Sequence, residues 1–332
     1  MQKLIDIIGQ ETAIKVLKAG LPPEEPGHAY IFAGPKGTGK RSTAYAWAAA
    51  LLCEAGEKDA CGVCGACRKS LSGSSPDLIV IKPEVREKRV TEVIDIGRIR
   101  ELISHLSFKP YEARLKIVIM EGADTMNLSA ANAFLKTLEE PPGDTVIILI
   151  VENTGKLPMT IISRCQTVRF RPLPYEKIFE FVKMKLQISD NEASAIASLS
   201  RGRPGAAIAG ALDREKDARE QVLSLFDNTE SFGPEEYKLA QNTDKSKDRL
   251  QADRILASAQ ELVRDMVTVK ISGKCDNLIN MDIRSAIEKV AGRYSLRRLF
   301  RIYDVLQEMI LARKLNVNPL LIISLLSLEL KE

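Results

Sequence analysis

A glycine-rich segment between an apolar run and an alanine-rich run constrains the fold of this 332-residue chain more than any other feature. The segment is Gly34-Pro35-Lys36-Gly37-Thr38-Gly39-Lys40, and it follows the apolar run 28–33. In this G-x-x-x-x-G-K pattern, backbone N–H groups at a helix N-terminus surround phosphates and the lysine reaches their oxygens. The pattern therefore predicts a buried strand, a nucleotide-binding loop and a helix. The alternative is a glycine-rich turn that binds no ligand.

Four further apolar runs follow along the chain, separated by stretches with helical spacing. Strands that are apolar throughout and alternate with helices are typical of a parallel sheet covered on both faces. The predicted strands are His28–Ala33, Asp77–Ile81, Lys116–Met120, Thr145–Val151 and Thr167–Phe170. The predicted helices between them are Lys40–Cys53, Ile94–Leu106 and Leu128–Glu139. The sequence thus predicts an α/β domain.

The pattern becomes helical after Pro172 and Pro174, and no strand is predicted from there on. Two short amphipathic helices, Ile178–Leu186 and Asn191–Leu199, come first. A polar stretch, Asn228–Asp248, then precedes a final helical region. We therefore predict three domains, with the residue ranges 1–172, 173–212 and 213–332.

Composition excludes several classes of protein. Because 48 Lys+Arg nearly balance 44 Asp+Glu, the net charge is only +4, which argues against a basic coat for bulk nucleic-acid binding. An apolar fraction of 45% argues against a largely disordered chain. No apolar run approaches the ~20 residues of a membrane helix, and the N-terminus lacks the apolar core of a signal peptide. A soluble cytoplasmic protein without membrane contact is expected.

Four of the six cysteines lie within fifteen residues, at Cys53, Cys61, Cys64 and Cys67. Closely spaced cysteines in an intracellular chain indicate a metal before a disulfide, and two C-x2-C steps suit tetrahedral Zn²⁺. Four protein ligands close the coordination shell, so the segment 53–67 is predicted to be a structural zinc module. The alternative is a redox-active or unrelated thiol group. Cys165 and Cys275 lie far from the cluster.

Two positions depart from a working ATPase. The residue after the loop lysine normally supplies a hydroxyl to Mg²⁺, but here it is Arg41, and Ser42 is out of register. The third strand ends in Glu121-Gly122, where Glu121 can act as the metal-holding acid but Gly122 lacks the carboxylate that would orient water. An arginine can neutralise phosphate charge, although it cannot coordinate a cation. ATP or ADP remains a candidate ligand, whereas a poor Mg²⁺ site and lost hydrolysis are expected.

The sequence resembles the AAA+ clamp-loader subunits of bacterial DNA polymerase III, and it is closer to the delta-prime type than to the gamma/tau ATPase. The resemblance is dense over about residues 1–210 and loose beyond them. Besides the loop and the cysteines, the matching segments are Ile7–Glu11, His28–Tyr30, Ser75–Asp77, Ile99–Leu102, Ala123–Asn127, Ala131–Pro142 and Leu157–Cys165.

The resemblance implies an architecture and a set of partners. It implies an AAA+ domain with a zinc insert, a small helical lid over residues 173–212 and an all-α collar over residues 213–332. It also implies a place in a hetero-oligomeric ring with gamma/tau- and delta-type subunits. Such a ring belongs to the DNA polymerase III holoenzyme and loads the sliding clamp onto primed DNA during replication.

Arg164, in Ser163-Arg164-Cys165, is the main functional residue that the resemblance implies. In the family this arginine projects into the ATP site of a neighbouring subunit as an arginine finger. A guanidinium supplied in this way stabilises the charge that develops on the γ-phosphoryl group. The alternative is an arginine that caps a strand or pairs with Glu139 or Glu140 of its own chain.

The resemblance also implies four further nucleotide contacts. Asn153, after the fourth strand, takes the place of the first sensor residue, and Arg203 is a candidate second sensor, although Pro204 and Gly205 depart from the ATPase pattern. Ile8 and Gly9 are expected to pack on the adenine. As residues near a helix start, Ile8 and Gly9 also fit a purely structural role.

Two other functions stay open at this point. One is an active ATPase of the gamma/tau type that tolerates the changed loop. The other is a stand-alone zinc-containing DNA-binding protein, although the cysteine module has only Lys58, Arg68 and Lys69 as nearby positive charges.

Overall fold

The computed structural model describes ten stretches of the chain. They are residues 3–22, 24–55, 58–85, 92–209, 213–227, 245–273, 278–314, 317–318, 325–326 and 329. The chain divides into two compact units, Met1–Leu173 and Pro174–Glu332, so the predicted change of character after Pro172 falls beside the division. The second boundary predicted at residue 212 and the unexplained Cys275 lie outside the described residues.

The first unit contains the predicted parallel sheet. In chain order its strands and those of a small ribbon are β1 (Ala29–Ala33), β2 (Leu78–Ile81), β3 (Glu84–Val85), β4 (Glu92–Val93), β5 (Lys116–Met120), β6 (Thr145–Val151) and β7 (Gln166–Arg169). The sheet order is β2-β5-β6-β1-β7, and each neighbouring pair is parallel. The antiparallel pair β3-β4 was not predicted, because strands of two residues show no periodicity.

Helices flank this sheet and make up the second unit. Those of the first unit are α1 (Glu11–Lys18), α2 (Lys40–Leu51), α3 (Gly65–Ser72), α4 (Ile96–Leu106), α5 (Leu128–Glu139) and α6 (Met159–Ile162). Those of the second are α7 (Tyr175–Leu186), α8 (Asp190–Ser200), α9 (Pro204–Ile208), α10 (Asp213–Asp227), α11 (Lys245–Ser272), α12 (Arg284–Arg293) and α13 (Leu296–Lys314). Sequence reasoning missed α3, which Cys64 caps by accepting a hydrogen bond from the N–H of Cys67. The cysteines there were interpreted only as ligands.

Both faces of the sheet are buried, as the apolar strands predict. Successive side chains of a strand point to opposite faces, so β1 directs Phe32 into one core and Ile31 into the other. Trp47 of α2 packs on the first face, within 6.2 Å of Phe32 between ring centroids. The Trp47 indole N–H donates to the carbonyl of Leu17 at 2.9 Å, which satisfies its one polar atom. Helix α2, which follows the glycine-rich loop, is therefore packed on the sheet and joined to α1.

The described part of the second unit is helical. Its core includes Phe226 and Tyr294, whose rings meet edge to face at 5.7 Å. Buried Asp265 accepts hydrogen bonds from the N–H groups of Ile279 and Asn280, both at 2.9 Å. Among the described residues, no helix combines the length and apolar character needed to cross a membrane.

Asp77 is the residue in the first unit on which we expect stability to depend most clearly. Its buried carboxylate accepts hydrogen bonds from the N–H groups of Tyr111, Glu112 and Ala113 at 2.7–2.9 Å. Burial alone favours the neutral acid, but these donors and Lys116 hold the pKa of Asp77 below its ordinary value. Asp77→Ala leaves three donors without this partner, so we expect it to lower the free energy of unfolding by about 2–4 kcal/mol.

Urea unfolding of the whole chain measures this effect, with Asp77→Asn, which keeps one acceptor oxygen, as the milder control. Because the folded-state pKa is depressed, the contribution of Asp77 is complete above the ordinary pKa of about 3.9 and is lost as the pH falls below it. Equal stability of the wild type and Asp77→Ala at neutral pH would contradict the assignment.

Candidate functional site

The glycine-rich loop leaves β1 at Gly34 and enters α2 at Lys40. Gly34 has φ +153°, and a Cβ atom there would lie 2.1 Å from the carbonyl oxygen of Phe170, so only glycine fits. Gly39 has φ +94°, in the left-handed region, and lies directly before the first residue of α2. These two glycines let the backbone turn sharply between strand and helix. The prediction of a strand, a loop and a helix at this point is confirmed.

Lys40 is the last residue of the loop, and its side chain folds back against the loop backbone. Its ammonium group donates hydrogen bonds to the carbonyl oxygens of Gly34 at 2.5 Å and Pro35 at 2.7 Å. Burial lowers the pKa of Lys40, while the negative charges of Glu152 and Asp124 act in the opposite direction. A positive charge is therefore held against the loop backbone, where phosphate oxygens are bound in loops of this kind.

Gln10 fixes the loop from the side. Its amide N–H group donates to the carbonyl oxygens of Thr38 at 3.2 Å and Arg171 at 2.7 Å, and its oxygen accepts from the N–H of Arg171 at 3.3 Å. Thr38 in turn donates its hydroxyl to the carbonyl of Pro35 at 2.8 Å. Sequence reasoning missed this role of Gln10, because its partners lie 28 and 161 residues away.

The side of the site where a magnesium ion would be expected holds an arginine. Arg41 Nε lies 3.0 Å from Glu121 Oε1, and the Tyr45 hydroxyl donates to the same oxygen at 2.9 Å. The Arg41 guanidinium also lies 5.7 Å from the centroid of the Tyr45 ring. The Arg41 side chain is 62% exposed, so this ion pair contributes only about 0–1 kcal/mol to stability.

The hydroxyl groups next to Arg41 do not replace the missing magnesium ligand. Thr43 is buried and donates its hydroxyl to the carbonyl of Gly39 at 2.9 Å. Ser42 lines a cleft of ≈ 460 Å³ beside α2, together with Arg41, Tyr45 and Ser70. The residues present therefore do not fit a Mg²⁺ ion held between a loop hydroxyl and a strand acid.

Gly122 shows why the second acid is absent. It has φ +62° and begins a short 3₁₀ turn after β5, and a Cβ atom there would lie 3.1 Å from Cγ of Pro83. A glutamate at this position would have to adopt a left-handed backbone conformation, which is strained for side chains other than glycine. The backbone itself therefore disfavours a water-orienting carboxylate at residue 122.

The other predicted nucleotide contacts are distributed over both units. Asn153 follows β6 and uses its side-chain oxygen to accept from the N–H of Gly155 at 2.8 Å. Ile8 is half-buried, and Gly9 has φ +65°, a left-handed backbone conformation that favours glycine; a Cβ atom there would also displace the Leu173 side chain. Arg203 lies in the second unit and donates from Nε to the carbonyl of Ser200 at 2.9 Å. Contact of these residues with a nucleotide stays a prediction.

Arg164 makes the intrachain ion pair that the sequence left open as an alternative. Its Nη2 lies 2.5 Å from Glu139 Oε1, and its Nη1 donates to the carbonyl of Thr160 at 2.9 Å. The side chain is 35% exposed and the Glu139 side chain 47%. Burial raises the pKa of neighbouring Cys165 to about 12, so that thiol stays neutral. Because 35% of its side chain is exposed, Arg164 lies at the surface, where a partner can reach it.

The four clustered cysteines converge in space. Their sulfur atoms all lie within 4.8 Å of one another, and those of Cys61 and Cys67 are 3.9 Å apart. Tetrahedral zinc with Zn–S bonds of about 2.3 Å needs sulfur atoms about 3.8 Å apart. The N–H groups of Val63 and Cys64 donate to the Cys61 sulfur and lower its pKa to about 6, which favours the thiolate. The predicted cluster that can hold a metal is confirmed.

The chain is similar in sequence to known subunits of DNA polymerase III. The sequence profile of the family described as DNA polymerase III, delta subunit, matches residues 9–174. The chain is also 30% identical over 288 residues to DNA polymerase III subunit delta' of Bacillus subtilis, which covers 85% of this chain and 84% of that protein. The chain belongs to this family, as a delta-prime-type member.

Two other relatives match shorter parts of the chain. DNA polymerase III subunit delta' of Pseudomonas aeruginosa is 43% identical over 139 residues, which is 42% of this chain and 41% of that protein. DNA polymerase III subunit tau of Bacillus subtilis is 34% identical over 207 residues, which is 60% of this chain and 36% of that protein. The chain thus spans well under half the length of these two relatives. The resemblance to the delta-prime type of DNA polymerase III clamp-loader subunit and the parallel α/β fold are confirmed.

Proposed function

We propose that this chain is the delta-prime-type subunit of a clamp loader and that it supplies Arg164 to the ATP site of a neighbouring subunit. The observation that carries the proposal is one combination of features within a single unit. Arg164 lies half-buried at the surface in its Ser-Arg-Cys segment and pairs with Glu139, while Arg41 pairs with Glu121 and Gly122 replaces the water-orienting acid. A subunit of this kind stimulates ATP hydrolysis in the neighbouring subunit without hydrolysing ATP itself.

The partners follow from the relatives. Since the chain resembles both delta' and tau subunits of DNA polymerase III, we propose that it joins gamma/tau- and delta-type subunits in a cytoplasmic ring. The ring would place the sliding clamp on primed DNA. Residues 173–212 would form a lid and residues 213–332 a collar that holds the ring together.

The ligands are proposed on the same basis. Zn²⁺ suits the four-sulfur cluster, and with four protein ligands it would have a structural role. ATP or ADP would lie on the loop Gly34–Lys40 as a bound ligand, with Asn153 and Arg203 as sensors. Because Lys40 already contacts the loop carbonyls of Gly34 and Pro35, phosphate oxygens would compete with these contacts.

Two alternative functions predict different results for the purified chain. An active ATPase of the gamma/tau type would hydrolyse ATP with Mg²⁺ as a purified chain and lose this activity in Lys40→Ala. A stand-alone DNA-binding protein would bind DNA tightly with a steep salt dependence. The few basic residues near the cysteines argue against the second, since Lys69 already contacts Glu112.

Reconstitution tests the proposal directly. The chain is purified and added to gamma/tau- and delta-type subunits, and loading of a labelled sliding clamp on primed DNA is measured with and without it. We expect loading and DNA-stimulated ATP turnover only in the complete mixture, and no turnover by the chain alone. Full loading without the chain, or substantial turnover by the chain alone, would overturn the proposal.

A further inference from the structure

We propose that the loop Gly34–Lys40 binds nucleoside diphosphates and triphosphates without a divalent cation, because the guanidinium of Arg41 takes the place of Mg²⁺. The ligand is a nucleotide polyphosphate, and the metal is replaced by a side chain of the protein. This inference rests on the nucleotide ligand of the proposed function and adds how its charge is neutralised; its failure would leave the role proposed for Arg164 in place.

Position is the first argument. In loops of this type, Mg²⁺ lies between the residue after the lysine and the acid at the end of a neighbouring strand. Here these two residues are Arg41 and Glu121, and they contact each other directly through Nε and Oε1 at 3.0 Å. The Glu121 carboxylate, which would bind the metal ion, is therefore already paired with the Arg41 guanidinium. The guanidinium itself has no lone pair with which to ligate a metal.

Chemistry is the second argument. A guanidinium is always charged and presents a rigid fork of N–H donors that matches phosphate oxygens. The guanidinium has five N–H donors, and the contacts with Glu121 and Tyr45 do not use all of them, so donors remain for a phosphate. Mg²⁺ neutralises the charged, non-bridging oxygens of the β- and γ-phosphates by coordination, and Arg41 would do so by charge-assisted hydrogen bonds.

Mobility and anchoring are the third argument. The Arg41 side chain is largely exposed and borders the cleft beside α2, so it can move toward a ligand at little cost. Tyr45 limits this movement, because its ring lies beside the guanidinium and its hydroxyl holds Glu121 at 2.9 Å. Burial and the bond to Glu121 raise the pKa of Tyr45, so the hydroxyl remains a donor at neutral pH.

Charge balance is consistent with this arrangement. Lys40 lies near the acidic Glu152 and Asp124, and Arg41 lies against Glu121. A polyphosphate adds further negative charge to this group of carboxylates. The cationic side chains of Lys40 and Arg41, neighbours on α2, would then provide the attraction that makes binding favourable, and removal of either one would weaken it.

The test measures the affinity of the purified full chain for ADP and for ATP, each in EDTA and in Mg²⁺, by equilibrium dialysis. The variants are Arg41→Ser, which restores a magnesium hydroxyl, and Arg41→Lys, which keeps the charge without the fork. For the wild type we expect Kd values that agree within about twofold between EDTA and Mg²⁺. For Arg41→Ser we expect binding about tenfold weaker in EDTA and recovery in Mg²⁺, since a charge-assisted hydrogen bond is lost and a metal ligand gained.

Controls separate folding from binding. Because Arg41 is exposed, Arg41→Ser should fold, and its circular dichroism and metal content should match those of the wild type. Tyr45→Phe gives a second, milder variant with a smaller loss in EDTA. Wild-type binding that needs Mg²⁺, equal effects of EDTA on the wild type and Arg41→Ser, or no binding of either nucleotide by the wild type would each overturn the inference. Each of these results leaves the role of Arg164 standing.

Discussion

Arg164→Ala is expected to slow ATP hydrolysis by about 10³-fold at the neighbouring subunit's site that we propose this side chain enters, while the nucleotide affinity of the chain itself stays unchanged. The reason is electrostatic, because a guanidinium brought into a desolvated site stabilises charge that develops only in the transition state. The total DNA-stimulated turnover of a reconstituted clamp loader falls by the share that this one site contributes. Single-turnover measurements on the assembled complex isolate the effect.

Matched variants distinguish a catalytic arginine from a structural one. Arg164→Lys keeps the charge but loses the planar fork, so we expect an intermediate rate. Glu139→Gln removes the carboxylate that Arg164 contacts in this chain and should leave hydrolysis intact or faster. Gel filtration must show that each variant still assembles. If the assembled Arg164→Ala complex turns over at the wild-type rate, Arg164 is not a finger and its pair with Glu139 is purely structural.

The second large effect is expected at the cysteine cluster. The double variant Cys61→Ser/Cys64→Ser removes two of the four sulfur ligands and should reduce the metal content from about one Zn²⁺ per chain to none. Metal binding and local folding are coupled in small sites of this type, where binding contributes roughly 10–16 kcal/mol in isolated peptides. We therefore expect a lower Tm and faster proteolysis within residues 53–72.

Elemental analysis and thermal unfolding measure this effect on the whole chain. Cys165→Ala is the control, because Cys165 lies outside the cluster and should leave the metal content unchanged. Prolonged dialysis against a strong chelator should reproduce the lower Tm of the double variant. Two results would show that the four thiols do not form a structural site. One is an unchanged metal content in the double variant, and the other is an equal Tm for the metal-free and the metal-containing wild type.

Several elements could be predicted to the residue. Three elements have the predicted bounds, because each is an apolar or amphipathic run that ends at polar or turn-forming residues. They are Lys116–Met120, Leu128–Glu139 and Thr145–Val151. The loop Gly34–Lys40 was equally clear, since its signal lies in seven consecutive residues. Such local patterns depend only on neighbours along the chain, and they survive in the folded protein because the sheet buries both faces.

Shorter elements escaped prediction for a physical reason. The pair β3-β4 offers only two residues per strand, and α3 owes its start to Cys64, whose sulfur accepts a hydrogen bond that a hydroxyl or carboxylate usually accepts. Helix α9 has only five residues, beginning with Pro204, which is fewer than two turns and too short to show periodicity. In these places the backbone conformation follows from tertiary contacts and a cap, which propensity does not report.

By itself, the sequence determined the α/β class, the glycine-rich loop, the four cysteines that can hold a metal and the resemblance to clamp-loader subunits. The tertiary structure alone decided which distant residues meet. Arg41 and Glu121 are 80 positions apart, and they contact each other at 3.0 Å in the folded unit. Likewise, only the fold brings Arg164 to Glu139 and Gln10 to the loop. Motifs are local in the chain, whereas the charge balance of a site depends on side chains that only folding brings within a few ångströms.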